Sequence, residues 1–217
     1  MGRNSSQLHE KNFKGKTSFM NIDVLKVPFP HVIITDTYEE EELEAIWDEL
    51  KFFTRPGKLL TPDEYRAAPN KTKASAIILD HVFSDTKFSN IMSLESKILN
   101  SDALHRLGKV HESCEYFSRP GHILTTKLRY YHHGESYVPH ADYEYLFLIF
   151  SYFNKTPKKY EGGELIFPDH DYSFSCDNNT SIIIPAYIAH GVNEVSIKDS
   201  DYYDGYGRYC VSVFAKT

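Results

Sequence analysis

The sequence predicts a mainly β fold with flanking helices, an α+β chain in which the helical patterns come first. Three observations carry this. Aromatic residues are abundant, with 16 Tyr and 14 Phe in 217 residues, and aromatic side chains suit a pleated, half-buried surface. Beyond Gly121 the chain breaks into short β-type runs at residues 123–131, 145–153, 164–167, 181–185, 191–195 and 208–214. Turn formers separate them, at Gly134, Gly162-Gly163, Asp177-Asn178-Asn179, Gly205 and Gly207, a spacing typical of a sandwich or barrel. Before Gly121, apolar residues recur mostly with helical period.

Residues 1–19 read as a flexible polar tail. Met1-Gly2-Arg3-Asn4-Ser5-Ser6 fits the myristoylation pattern formally, but so short a pattern arises often by chance, and the plain tail is preferred. Val32-Ile33-Ile34-Thr35 reads as a buried strand. Thr37 is placed to cap the helix that follows, Glu39, Glu40, Glu41 and Glu42 suit the positive end of its dipole, and Leu43, Ile46, Trp47 and Leu50 form its apolar stripe. Residues 54–73 are polar and broken by Pro56, Gly57, Pro62 and Pro69, which predicts a long loop. A strand at 76–79 and helices at 88–99 and 103–117 follow, the last ended by Arg119-Pro120-Gly121. The expected organisation is one domain at 20–217, with helical support at 36–120 and a β core at 121–217.

The formal net charge of −6 argues against a protein that binds nucleic acid by neutralising phosphates. No apolar run is long enough to span a bilayer and no signal peptide is recognisable, so no membrane partner is expected. Cys114, Cys176 and Cys210 are odd in number and widely spaced, which predicts reduced thiols in a cytoplasmic setting rather than a disulfide frame or a zinc site.

Eleven histidines leave many candidates for chemistry. His140-Ala141-Asp142 ends a β-type segment, where residues i and i+2 share a face, so imidazole and carboxylate converge on one ion. His190 follows the buried run Ile182-Ile183-Ile184-Pro185, where a neighbouring strand would bring it alongside. Two histidines and one carboxylate leave half of an octahedron open, the ligand set of Fe(II) oxygenases, whereas zinc favours a closed tetrahedron or three ligands plus water. His132 and His133 sit nearby in sequence but read as loop residues. Gly162-Gly163 reads as a turn that needs backbone freedom, not as a phosphate cradle.

Four motifs occur in order: Tyr131 to Asp142 as YxxGxxYxxHxD, Glu161-Gly162-Gly163-Glu164-Leu165, His190-Gly191-Val192, and Gly207-Arg208-Tyr209-Cys210-Val211-Ser212. This set resembles the prolyl 4-hydroxylase-like branch of the Fe(II)/2-oxoglutarate-dependent dioxygenases. The resemblance implies a double-stranded β-helix (jelly-roll) barrel with helices packed outside. It implies iron held by His140, Asp142 and His190, 2-oxoglutarate as cosubstrate, and dioxygen as co-reactant, with ascorbate as a candidate reductant. It places Arg208 on the distal carboxylate of 2-oxoglutarate, a role suited to a planar guanidinium fork. Tyr152 and Tyr131 resemble the pocket tyrosines that accompany it; Tyr130 replaces Tyr131 if the strand slips by one, and both side chains read equally well as core aromatics. Arg208 lies further beyond His190 than is usual in this branch, and the polar stretch 197–206 reads as an enlarged turn that accounts for the excess.

The resemblance further implies hydroxylation of a substrate with release of succinate and CO2. A prolyl residue of a protein or peptide is the leading substrate, and another side chain or a small molecule is the alternative. The nucleic-acid-demethylating branch carries a second arginine six residues after the first; here that position is Phe214. From another class, a cupin-type barrel could hold a metal or sugar without oxidising anything, although such a barrel needs no carboxylate clamp. Residues 54–73 carry five basic side chains against Asp63 and Glu64, and they read equally as a lid over the substrate or as a solvated surface loop with no role.

Overall fold

The computed structural model describes residues 20–65 and 71–217; the tail at 1–19, with its myristoylation pattern, and residues 66–70 of the basic segment lie outside the described residues. Strands β1 (Asn21–Leu25), β2 (His31–Thr35) and β3 (Ser75–Ile78) alternate with helices α1 (Glu40–Phe53), α2 (Asn90–Leu99) and α3 (Ala103–Val110) in the first half. The second half is β: β4 (Ile123–Tyr131), β5 (Tyr137–His140), β6 (Phe147–Phe153), β7 (Tyr160–Gly162), β8 (Leu165–Phe167), β9 (Tyr172–Phe174), β10 (Thr180–Pro185), β11 (His190–Val192), β12 (Val195–Ile197) and β13 (Arg208–Lys216).

A seven-stranded antiparallel sheet runs β1-β2-β10-β6-β13-β4-β3, and a smaller sheet runs β5-β11-β8-β9. β12 pairs with β7 as a separate ribbon. The expected barrel is therefore not closed: no ladder joins the two sheets among the described residues, and the smaller sheet is made of strands only three or four residues long. The strands β1, β2 and β3 come from the helical half and complete the edges of the large sheet.

The core follows from alternation. Phe147, Ile149 and Phe153 of β6 join a cluster with Ile46, Leu50 and Phe53 of α1, Ile91 and Ile98 of α2, and Leu104 and Leu107 of α3. Leu148, Phe150 and Tyr152, the intervening residues, pack instead with Leu165 and Phe167 of β8 and Val192 of β11. All of β6 is buried, so it reads as a continuous apolar run, FLIFSYF, rather than an alternating one. Removing a side chain such as Ile149 would cost about 2–5 kcal/mol, the range for buried large-to-alanine changes.

Two helical expectations change in detail. Glu39, not Thr37, caps α1, with its amide donating to the Glu42 carboxylate at 2.8 Å. Thr37 is fully buried beside the start of β10, with its hydroxyl 3.4 Å from Ser181 Oγ. The helix expected at 103–117 breaks at His111, which adopts extended backbone, and a 3₁₀ turn, Glu112–Ser118, folds back on α3. Gly108 permits that return, because a Cβ there would sit 3.1 Å from the Cys114 carbonyl oxygen.

One carboxyl is buried between helix and sheet. Glu95 of α2 is 2% exposed and accepts a 3.0 Å hydrogen bond from the Tyr38 hydroxyl, while its Oε2 has no partner. Burial pushes this carboxyl up from 4.5 to about 7. Between those values the folded protein keeps a proton that the unfolded chain releases, so stability falls as pH rises through that window, by up to about 1.4 kcal/mol per pH unit. Glu95→Gln is expected to flatten this decline. Urea denaturation of both proteins at pH 5 and pH 7.5 tests it; the same loss in both would show that Glu95 is not the titrating group.

Candidate active site

The smaller sheet builds a three-residue cluster. β11 pairs antiparallel with β5 so that His190 lies opposite His140, with an irregularity before Val192 meets Tyr137. The backbones approach closely here, and a Cβ on Gly191 would stand 2.8 Å from the Tyr137 carbonyl oxygen, so only glycine fits. Beyond β5 the Asp142 amide donates to the Ala186 carbonyl at 2.9 Å, which turns the carboxylate back toward the two rings. Nε2 of His140 is 3.8 Å from Asp142 Oδ1, and Nε2 of His190 is 3.7 Å from Asp142 Oδ2. One donor atom from each residue lies within 4.8 Å of the others.

The surroundings suit a bound cation. Nδ1 of His140 is 3.0 Å from the Val138 carbonyl, and Nδ1 of His190 is 2.9 Å from the Ile188 carbonyl. A carbonyl accepts only, so each Nδ1 carries the proton and each Nε2 turns its lone pair inward. Burial lowers the pKa of both imidazoles, that of His190 to about 4, which keeps them neutral at neutral pH. Asp142 Oδ2 is buried without a hydrogen-bond partner, a costly state that a metal ion would relieve. Two imidazoles and one carboxylate meeting from one side fit a facial Fe(II) site. His132 and His133 stand apart from it: His132 Nε2 lies 3.2 Å from Asp199 Oδ1, and His133 Nδ1 accepts from the Ile197 amide.

Next to the cluster is a cavity of about 130 Å³, roughly ten times what one water needs, and so large enough for a small diacid. Arg208 opens β13 and is 1% exposed. Its Nε donates to the Gly163 carbonyl at 2.6 Å, its Nη2 is 3.5 Å from Cys176 Sγ, and its Nη1 has no partner. The guanidinium lies over the rings of Tyr131 (4.6 Å) and Tyr152 (5.1 Å), and the Tyr152 hydroxyl is also unpartnered. Gly163 has φ +74° and touches the arginine so closely that a Cβ would be 2.7 Å from Arg208 Cδ. Gly163 thus seats Arg208, while Gly162, at the end of β7 with φ +71°, lies against the Glu194 carbonyl and begins the turn into β8.

The β4 register resolves the two tyrosines. Tyr131 pairs with Arg208 and faces the cavity; Tyr130 faces the helices, stacks on Tyr209 at 4.3 Å, and accepts from the Gly207 amide. Tyr130 therefore anchors the enlarged turn, which runs through a helical turn at Asp199–Asp201 and a π turn at Tyr202–Tyr206 and delivers Arg208 to the start of β13. Arg129, Lys127 and Tyr137 also line the cavity. Tyr137 is the second tyrosine of the YxxGxxYxxHxD motif, but Arg129 and Lys127 were not singled out from the sequence, although they sit two and four residues before Tyr131, on the same face of an extended strand.

The return end of the basic segment reaches this site. Lys71 accepts from the Val138 amide at 2.9 Å, Thr72 bridges Tyr137, and Lys127 Nζ lies 5.6 Å from the Tyr65 ring.

No protein-family model and no curated protein matches the sequence. Solved structures do. One is a prolyl-4-hydroxylase from Pseudomonas putida, with a TM-score of 0.57 at 12% identity over 86% of this chain and 91% of that one. A 2OG-Fe(II) oxygenase family protein from Burkholderia pseudomallei gives 0.55 at 13% identity over 86% and 84%. The viral collagen prolyl hydroxylase of Paramecium bursaria Chlorella virus-1, in its 2OG complex, gives 0.51 at 11% identity over 86% and 96%. The chain has the prolyl 4-hydroxylase-like 2-oxoglutarate oxygenase fold. Those relatives carry a jelly roll, which here takes the form of two open sheets facing each other across the cavity.

If this cluster is the metal site of the 2-oxoglutarate oxygenase fold, Asp142→Ala should remain folded but lose at least tenfold in affinity for Mn(II), a non-oxidisable stand-in for Fe(II). His132→Ala should bind as the parent does. Calorimetric titration measures both, and equal losses would place the ion elsewhere.

Proposed function

We propose that this chain is an Fe(II)- and 2-oxoglutarate-dependent dioxygenase that hydroxylates its substrate, with a prolyl residue of a protein or peptide as the leading candidate. The observation that carries the proposal is a fully buried arginine without a carboxylate partner among the described residues, facing the same cavity as a two-histidine, one-aspartate cluster. A buried cation without a counter-ion is costly, and a small diacid with one carboxylate on Arg208 and the other at the metal would offset it. A barrel that only stored metal would have no use for Arg208. The prolyl assignment is supported by the folds it resembles, two of which are prolyl hydroxylases, and a fold of this kind hosts several substrates.

In this scheme His140, Asp142 and His190 hold iron and leave one side open. Iron with 2-oxoglutarate and dioxygen supplies oxidative decarboxylation to succinate and CO2, coupled to oxygen insertion into a substrate C–H bond. Arg208 fixes the distal carboxylate bidentately, with Gly163 and the Tyr131 and Tyr152 rings holding the guanidinium in place. The unpartnered Tyr152 hydroxyl is free to donate to the same carboxylate. Leu165, Phe150 and Val192 keep the cavity wall apolar and limit water. The described parts of the basic segment, residues 54–65 and 71–73, would serve as a lid on the substrate side, a reading supported by the contacts of Tyr65 and Lys71 beside the cavity.

Mass spectrometry of proline-containing peptides incubated with the protein, Fe(II), 2-oxoglutarate and ascorbate should show a 16-Da gain on proline and stoichiometric succinate (the mass of one oxygen, ~16 Da). Succinate without any peptide oxidation would send the search to other side chains or small molecules; no succinate at all under any substrate would end the oxygenase proposal. Arg208→Ala should raise the 2-oxoglutarate requirement at least tenfold, equivalent to a loss of ~1.4 kcal/mol or more, with metal affinity little changed. Replacing residues 61–69 by a Gly/Ser linker should stop substrate hydroxylation while slow 2-oxoglutarate decarboxylation continues. Hydroxylation at the parent rate would dispose of the lid.

A further inference from the structure

The cavity holds more positive charge than 2-oxoglutarate and iron require. Along β4, Lys127, Arg129 and Tyr131 project to the same side, paired in register with Ser212, Cys210 and Arg208 of β13. At about 3.4 Å per residue, Arg129 stands roughly 7 Å along the sheet from the row that holds Arg208. It is at the metal end: its guanidinium lies 5.5 Å from the Tyr137 ring, and that ring stacks on His140 at 4.3 Å. Arg129 is 6% exposed. One of its nitrogens donates to Ser212 Oγ at 2.8 Å, and its Nε is buried with no partner. Lys127 follows towards the mouth, half-buried, with its ammonium between the rings of Tyr65 and Phe214.

Among the described residues, no carboxylate lies within ion-pair distance of Lys127, Arg129 or Arg208. The lining carries three cations against Asp142 and the exposed Glu144. Bound Fe(II) and 2-oxoglutarate cancel each other, so the excess of one positive charge belongs to the protein and awaits a single negative charge. A doubly charged phosphate would overfill it; a carboxylate matches it, and a guanidinium fork with a buried free donor is built to take one.

We propose that Arg129, assisted by Lys127, binds a carboxylate of the main substrate beside the carbon to be oxidised, so that the enzyme acts on an acid. The inference rests on the oxygenase proposal and names the substrate class of the same site. Three sources present this chemistry: a free amino or organic acid, a peptide C-terminus and an acidic side chain.

The test uses protein loaded with Mn(II) and 2-oxoglutarate, titrated calorimetrically with acid–amide pairs. These are L-proline and L-prolinamide, a Gly-Pro peptide ending in a carboxylate or an amide, and proline peptides with Asp or Asn beside the proline. At least one acid should bind tenfold or more tightly than its amide, and the pair that responds identifies the source of the carboxylate. Arg129→Gln should erase that preference, Lys127→Gln should reduce it, and neither should shift the affinity for 2-oxoglutarate in substrate-free protein more than about threefold. Equal binding of acids and amides, or no binding of any acid, overturns the proposal. So does a tenfold loss of 2-oxoglutarate affinity in Arg129→Gln, which would make Arg129 a cosubstrate residue. Failure of 2-oxoglutarate to bind the metal-loaded parent is seen before any acid is added, and it rejects the oxygenase proposal itself.

Discussion

The central strands of the large sheet are buried on both faces, and everything else in the molecule is arranged around that constraint. One face of β6, β10, β13 and β4 packs on the helices, and the other lines the space shared with the smaller sheet. Because side chains alternate with period two, each strand must meet two environments at once. β6 meets both with apolar residues. β13 and β4 place Tyr209, Val211, Val213, Tyr130 and Leu128 on the helix side, leaving Arg208, Cys210, Ser212, Arg129 and Tyr131 for the cavity. A one-residue slip would bury two arginines among α1, α2 and α3 and turn the helix-side tyrosines into the cavity, so packing against the helices holds the site in register.

Polar groups without partners gather where that second face opens. Of the six buried side-chain atoms lacking a hydrogen bond among the described residues, four line one cavity: Asp142 Oδ2, Tyr152 Oη, Arg208 Nη1 and Arg129 Nε. Each such group typically costs about 1–3 kcal/mol. Their concentration separates this cavity from the rest of the core, where the remaining two, His31 Nε2 and Glu95 Oε2, are isolated. Under the proposed function, the metal and 2-oxoglutarate would satisfy these groups, and the helix-side core supplies the stability that the cavity side forgoes.

The smaller sheet closes the cavity side of the core with Leu165, Phe167, Phe174 and Val192 and also sets the geometry of the site. Its strands are three or four residues long, yet the β5–β11 pairing sets His140 opposite His190, and the Asp142–Ala186 hydrogen bond fixes the third donor. Glycines allow the close approaches: Gly191 against β5, and Gly163 against Arg208. The basic segment adds Lys71 to the free edge of β5, so the strand that carries His140 is held from both sides.

By itself the sequence determined the features set by local periodicity. Eight of the strands (β2, β3, β4, β6, β8, β10, β11 and β13) and the helices at 40–53 and 90–99 follow from patterns within a few residues of one another. Strands of three residues, such as β7, β9 and β12, are too short to show a period, and β1 is legible only through its pairing with β2. Thr37 looked like a helix cap because local chemistry allows it; long-range contact with Asn179 and Ser181 claims it instead. Tertiary structure alone decided that Tyr131 and not Tyr130 faces the cavity, because register is set by the partner strand and not by the strand's own residues. It also decided that Arg129 is buried with no carboxylate partner among the described residues. Lys127 and Arg129 alternate with Leu128 and Tyr130 on β4, a local pattern that does not tell an exposed face from a covered one, and only the sheet that folds over them turns that face into the wall of a cavity.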